Sequence, residues 1–213
     1  MVRHLKVGMI FECGPQGADK RVCEDFAKRL IPSAQKGLTV EVESATSLNK
    51  KTMLDDVGRN AKTLLRNGCG HVVVVWDLYP PWTAKTKPCR RNDTDAIWAS
   101  LEKEGVGREK VFLVCIEAEL EAWLLSAHQA LKGFIKKKKG VHAHKCKVPR
   151  TTNPEALPNP KQHLQKIFQN NALGEYSDLS HAHRIAAFVT DISELKKCAS
   201  FQRFVFKVAG IQI

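Results

Sequence analysis

Val72-Val73-Val74-Val75-Trp76-Asp77 sets four β-branched residues in a row before an indole and a carboxylate. A continuous apolar run this short, bounded by Gly68 and Gly70 before it and Pro80 and Pro81 after it, describes a strand covered on both faces. Strands of that kind belong to parallel sheets, whose ligands sit outside the carboxyl ends. Asp77 is therefore delivered to the place where such a sheet does its chemistry, and its competing role is that of a turn residue ahead of Pro80.

Working outward, residues 6–12 give an earlier strand of the same design, apolar through Met9, Ile10 and Phe11 and ending on Glu12. A glycine-bearing turn with Gly14 and Gly17 follows. Asp19 then lies at the start of a helix whose buried face carries Val22, Phe26, Ala27 and Leu30, where the helix dipole favours its charge. The turn lacks the Gly-Lys-Ser/Thr ending of a phosphate loop. Residues 38–42 read as a second strand, 52–65 as a helix, 94–104 as another helix and 111–116 as the fourth strand. Strands alternating with helices predict an α/β fold with a mainly parallel four-stranded sheet flanked by helices.

Directly after the fourth strand comes Glu117-Ala-Glu119-Leu-Glu121-Ala-Trp123-Leu-Leu125, passing into a helix with Leu120, Trp123, Leu124 and Ala127 as its buried stripe. At helical spacing Glu117 and Glu121 share a flank and Glu119 leaves from another side. Acids in a first turn also suit the helix dipole. With Glu12 and Asp77 already at strand ends, a shared acidic pocket is the stronger reading. Its oxygen donors suit Mg2+ or Mn2+, ions that activate water and neutralise charge on a phosphodiester.

The chain of 213 residues carries 34 Lys and Arg against 22 Asp and Glu, a formal charge of +12 that favours a polyanion such as nucleic acid or an anionic membrane surface. Much of the excess falls in 132–150, where Lys132, Lys136, Lys137, Lys138, Lys139, Lys145, Lys147 and Arg150 have no acid among them. An exposed segment of this kind can track a phosphate backbone, and its plainer reading is a solvated loop. No apolar run approaches a membrane span, and the polar start Met1-Val-Arg-His-Leu-Lys6 is unlike a secretory signal, so a cytoplasmic protein with no membrane partner is expected. The seven cysteines are scattered without a CxxC pair and are expected to be reduced. His142, His144 and Cys146 alternate without a fourth ligand, so zinc is not expected. His181 and His183 are read as surface or packing residues, with assistance to proton transfer as the alternative for either histidine pair. Past the proline-rich connector at 153–161, three amphipathic stretches are expected: one from Pro160, one through Ile185, Phe188, Val189, Ile192 and Leu195, and one through Phe201, Phe204, Val205 and Val208. The expected organisation is a core over 1–131, a basic segment and connector over 132–159, and a helical C-terminal portion over 160–213 packed on the core.

Glu12 with its glycine-containing turn and Asp19, an Asp closing the third strand, and further acids after the fourth resemble a Toprim domain, the catalytic fold of topoisomerases, primases and several nucleases. More specifically, Asp77-Leu-Tyr79-Pro, Glu119-Leu-Glu121-Ala-Trp-Leu-Leu, Asn153-Pro-Glu155 and Ser200-Phe-Gln-Arg203-Phe resemble a Toprim-like family of uncharacterised bacterial proteins, related to OLD-type Toprim nucleases and often encoded beside an ABC-type ATPase. Toprim nucleases usually carry Asp-x-Asp after the third strand, and here Tyr79 stands at the second position, where it could contact phosphate. The resemblance implies a divalent-metal-dependent nuclease acting in anti-phage defence with an ATPase partner. Glu12, Asp77, Glu119 and Glu121 would be its ligands and catalytic residues, with Asp19 as a further ligand. A catalytically silent Toprim-like module that binds nucleic acid or an ATPase, and a ribonuclease that matures structured RNA, remain the alternatives.

Overall fold

Four strands, β1 (Arg3–Phe11), β2 (Leu38–Thr46), β3 (His71–Asp77) and β4 (Val111–Ile116), pair in parallel in the order β2-β1-β3-β4 in a computed structural model that describes residues 2–79, 87–140 and 146–213. Val72 to Val75 are at most 1% exposed, as a strand buried on both faces requires. Their side chains alternate between two cores. Val73 and Val75 join Val7, Met9 and Phe11 in one, while Val72, Val74 and Trp76 join Ile10 in the other.

The second core is closed by α3 (Lys50–Arg66) and α4 (Arg90–Lys103). These two helices approach closely because residue 58 is glycine: a Cβ there would lie 2.5 Å from the Ser100 carbonyl oxygen. The first core is larger. It takes α1 (Ala18–Asp25), which runs on through one wider turn at Phe26–Leu30 into α2 (Ile31–Ser33), then α5 (Leu120–Ser126), α6 (His128–Lys139), α7 (Pro160–Asn170), α8 (Asp178–Ala186) and α9 (Ala199–Ala209). The C-terminal helices thus cover one face of the sheet and share its core.

Beyond differences at the ends of β2, α3 and α4, four details depart from the sequence reading. β1 begins at Arg3, because Arg3 to Lys6 pair only with β2 and need no second apolar face until Val7 meets His71. The helix after β4 begins at Leu120 with Glu119 at its N-cap position, so Glu117 lies outside the helix and does not share a flank with Glu121. The stretch from Ile185 to Leu195 is not one helix: α8 stops at Ala186, and a short 3-10 turn, Ile192–Leu195, starts afresh where Asp191 accepts hydrogen bonds from the Ser193 amide and hydroxyl. Finally, Lys136 to Lys139 are the last turn of α6 rather than part of a loop. Ala130, Leu131, Phe134 and Ile135 bury one face of that helix, and Gly140, at φ 61°, ends it. His142, His144 and Lys145 lie outside the described residues, as do Pro80 and Pro81.

Candidate functional site: carboxylates at the carboxyl edge of β1 and β3

The sheet order turns between β1 and β3. From β1 the chain crosses to β2 on one side, and it returns to β3 on the other, which makes the carboxyl ends of these two strands the switch point where open α/β sheets take their ligands. Phe11 and Val75 are register partners, so Glu12, one residue beyond Phe11, and Asp77, two beyond Val75, come to that switch point. The turn after Glu12 brings in a third acid. Gly17 donates to the Gly14 carbonyl at 2.8 Å, a Cβ at Gly17 would collide with the Cys13 side chain, and the tight loop starts α1 with Asp19 in its first turn. From β4, α5 contributes Glu121, which is 5% exposed and accepts a hydrogen bond from the Tyr176 hydroxyl at 3.0 Å.

These four carboxylates act on one another. Burial pushes Asp77 well above the usual carboxylate range, and the charges of Asp19, Glu12 and Glu121 push it further. Glu12 is pushed up to about 8, by burial first and by Asp19 among the neighbouring charges, against the opposing pull of the Lys50 ammonium. Burial, with Asp178 adding to it, raises Asp19 to about 6, and burial raises Glu121 to about 7. Among the described residues Glu12 Oε2 and Asp77 Oδ1 are buried side-chain oxygens with no hydrogen-bond partner. Buried polar atoms are normally satisfied, so two orphaned carboxylate oxygens at one sheet edge call for an occupant.

Other acids at this end of the molecule are tied into the scaffold. Glu119 Oε2 accepts from the Lys161 amide at 2.7 Å, holding the start of α7. Glu117 bridges Arg90 and Arg203. Glu155 accepts from the amides of Ala199 and Ser200 at 2.6 and 3.1 Å and from the Ser200 hydroxyl, which in turn accepts from Trp123 Nε1 at 2.7 Å. Tyr79, 55% exposed, lines a cleft of about 420 Å³ with Glu117, Glu119 and Glu155. Of the basic candidates, Lys136 to Lys138 are exposed on α6, Lys147 and Arg150 are exposed beyond it, and the Lys147 backbone is held by the Asn171 side chain.

Sequence reasoning missed Lys50 and Asp93. Lys50 is 8% exposed; its ammonium donates to the Leu78 carbonyl at 3.0 Å and stands 3.9 Å from Asp93, which is 1% exposed and accepts from Trp76 Nε1 at 3.1 Å. This buried cation lies beneath the acid cluster and draws Glu12 and Asp77 downward. In the sequence it is one of two adjacent lysines after the Asn49 cap, and nothing local separates it from Lys51.

The donor set is oxygen-only and suits a hard divalent cation. As the side chains stand, no three of His, Cys, Asp and Glu among the described residues are grouped to hold one ion, so a cation would have to draw the acids inward. Fold and site together define an α/β protein with a carboxylate cluster at the crossover point of a parallel sheet. The chain belongs to the family described as "Domain of unknown function (DUF4276)", which matches residues 20–209 and so takes in Asp77, Glu119 and Glu121. Among solved structures it is similar to the C-terminal region of the Burkholderia pseudomallei OLD protein, at 20% identity over 95% of this chain and 98% of that one, with a TM-score of 0.44. No curated protein matches it. Among the described residues no helix is long and apolar enough to cross a membrane.

Proposed function

We propose that the protein is a divalent-metal-dependent nuclease of Toprim type, with Glu12, Asp77, Glu121 and Asp19 as the residues that would hold Mg2+ or Mn2+. The observation that carries this reading is the pair of buried, unpartnered oxygens of Glu12 and Asp77, at the carboxyl ends of the adjacent strands β1 and β3, in a chain of net charge +12. A bound divalent cation supplies Lewis acidity toward water and offsets negative charge on a phosphodiester. The chain's own part is to hold carboxylates that give up protons as a cation enters, with Lys50 beneath them limiting the repulsion. The Tyr176 hydroxyl fixes one oxygen of Glu121, and Glu119 secures the start of α7 beside the cleft into which Tyr79 projects. Tyr79 would meet a phosphate there. Motif resemblance adds an anti-phage setting and an ABC-type ATPase as partner.

Purified protein incubated with plasmid, single-stranded DNA and total RNA, with Mn2+ or with chelator, tests the reading. Cleavage that needs Mn2+ and is lost in Asp77→Ala supports it, and undiminished cleavage in that variant overturns it. Tyr79 in place of a second Asp, and the side-chain spacing described above, favour a second reading: a nucleic-acid-binding module without hydrolysis. Binding without cleavage under every cation tried would select it.

A further inference from the structure

Away from the acids, the end of α6 and the end of α8 form a groove of about 450 Å³ lined by Phe134, Lys137, Lys138, Arg184, Ala187 and Phe188. No acid lines it. Lys137, Lys138 and Arg184 are exposed, and Phe188 is half-buried at its wall. The Phe188 ring is fixed from behind: it meets Phe134 edge to face at 6.0 Å and rests on Gly133, where a Cβ would stand 3.1 Å from its Cδ1. Lys137 Nζ lies 5.7 Å from the ring centroid, so one cation already borders the aromatic surface. A held ring with three cations around it, and no counter-charge, is the pairing that takes a base on its face and phosphates on its rim.

Behind the groove, a line of packed rings joins its wall to the acid cluster through the core. Phe134 contacts His181 at 6.3 Å, His181 lies against Tyr176 at 5.9 Å, and the Tyr176 hydroxyl donates to Glu121.

We infer that this groove binds an unpaired nucleic-acid strand, with one base stacked on Phe188 and the flanking phosphates held by Lys137, Lys138 and Arg184. The inference rests on the reading of nucleic acid as substrate and narrows it. Duplex ends of the same charge engage the cations but keep their bases stacked on each other, so the ring discriminates for the single strand.

The test is fluorescence anisotropy in chelator, so that no cleavage intervenes, with labelled 20-nucleotide single strands of DNA and of RNA and a duplex of the same length. The parental protein should prefer the single strand. Phe188→Leu, which keeps apolar packing but removes the ring, should weaken single-strand binding roughly ten-fold and leave duplex binding unchanged. The exposed triple variant Lys137→Ser, Lys138→Ser, Arg184→Gln should weaken both and flatten the slope of log affinity against log salt by roughly 2, at about 0.7 per phosphate contact. Phe188→Leu binding single strands like the parent overturns the stacking site, and an unchanged salt slope in the triple variant overturns the groove. If Phe188→Leu fails a thermal-melt check of its fold, the triple variant decides alone. A parental protein that binds through this groove yet cleaves nothing with Mn2+ overturns the nuclease reading and keeps the groove, while cleavage with unaffected groove variants does the reverse.

Discussion

Two sets of carboxylates share the carboxyl end of the sheet, and they live under opposite conditions. Glu117, Glu119 and Glu155 each accept from amides or guanidinium groups and tie helices together. Glu12, Asp19, Asp77 and Glu121 crowd one another, and burial raises them all. A carboxylate that caps a helix is at its lowest energy as it stands. One that repels its neighbours stores free energy that a cation can release, and this difference, rather than acidity as such, separates scaffold from site.

The largest expected effect breaks the second set. Asp77→Asn should abolish Mn2+-dependent cleavage. It should also abolish the cation-induced rise in melting temperature, which for the parent at a hundred times the dissociation constant should be about 5–10 °C. In chelator at pH 8 the variant should melt no lower than the parent, since it removes a buried carboxyl whose ionisation is opposed by burial and by its acidic neighbours. Breaking the first set should give the opposite pattern. Glu155→Ala strips the acceptor from the start of α9 and from Ser200, at a cost of about 2 kcal/mol and about 4–8 °C in melting temperature, while the response to Mn2+ persists.

Titration sharpens the contrast. Glu12 holds its proton up to about 8 when folded and loses it near 4.5 when unfolded, so between these values the folded state binds more protons and stability falls as pH rises. In chelator the melting temperature should therefore decline from pH 5 to pH 8 by on the order of 5 °C, with Mn2+ reversing the trend and Glu12→Gln flattening it. A pH slope in chelator that Glu12→Gln leaves unchanged contradicts the crowding. The smallest effect belongs to Glu117→Gln, whose ion pairs with Arg90 and Arg203 are largely solvent-accessible and should cost within about 1 kcal/mol by denaturant melt.

Much of the fold was legible because burial on both faces leaves an unmistakable run. β3 differs from its sequence reading by one residue and β4 not at all. β2 is an edge strand whose far half, Glu43 to Thr46, is polar and half-buried, so its true length left no apolar trace. Glu12, Asp19 and Asp77 could be proposed because strand ends and first turns are local features. Lys50, Asp93 and Tyr176 could not: they reach the cluster from α3, α4 and the segment before α8, and only the packed structure says which of the lysines and aspartates, and which of the two tyrosines, arrive there. The Lys136 to Lys139 run misled for a related reason. Its charges hid the helical spacing of Phe134 and Ile135 beneath them.

The parallel pairing of β1 with β3 has a consequence for how the molecule comes into being. Phe11 meets Val75 only after the intervening β2 and α3 have been laid down, a long loop to close before any reward. Glu12 and Asp77 therefore remain strangers until the sheet zips. Their mutual repulsion is imposed in that late step, and a chain that folds while these acids still carry protons, or while a divalent ion stands by to take their place, closes its sheet against a lower hill.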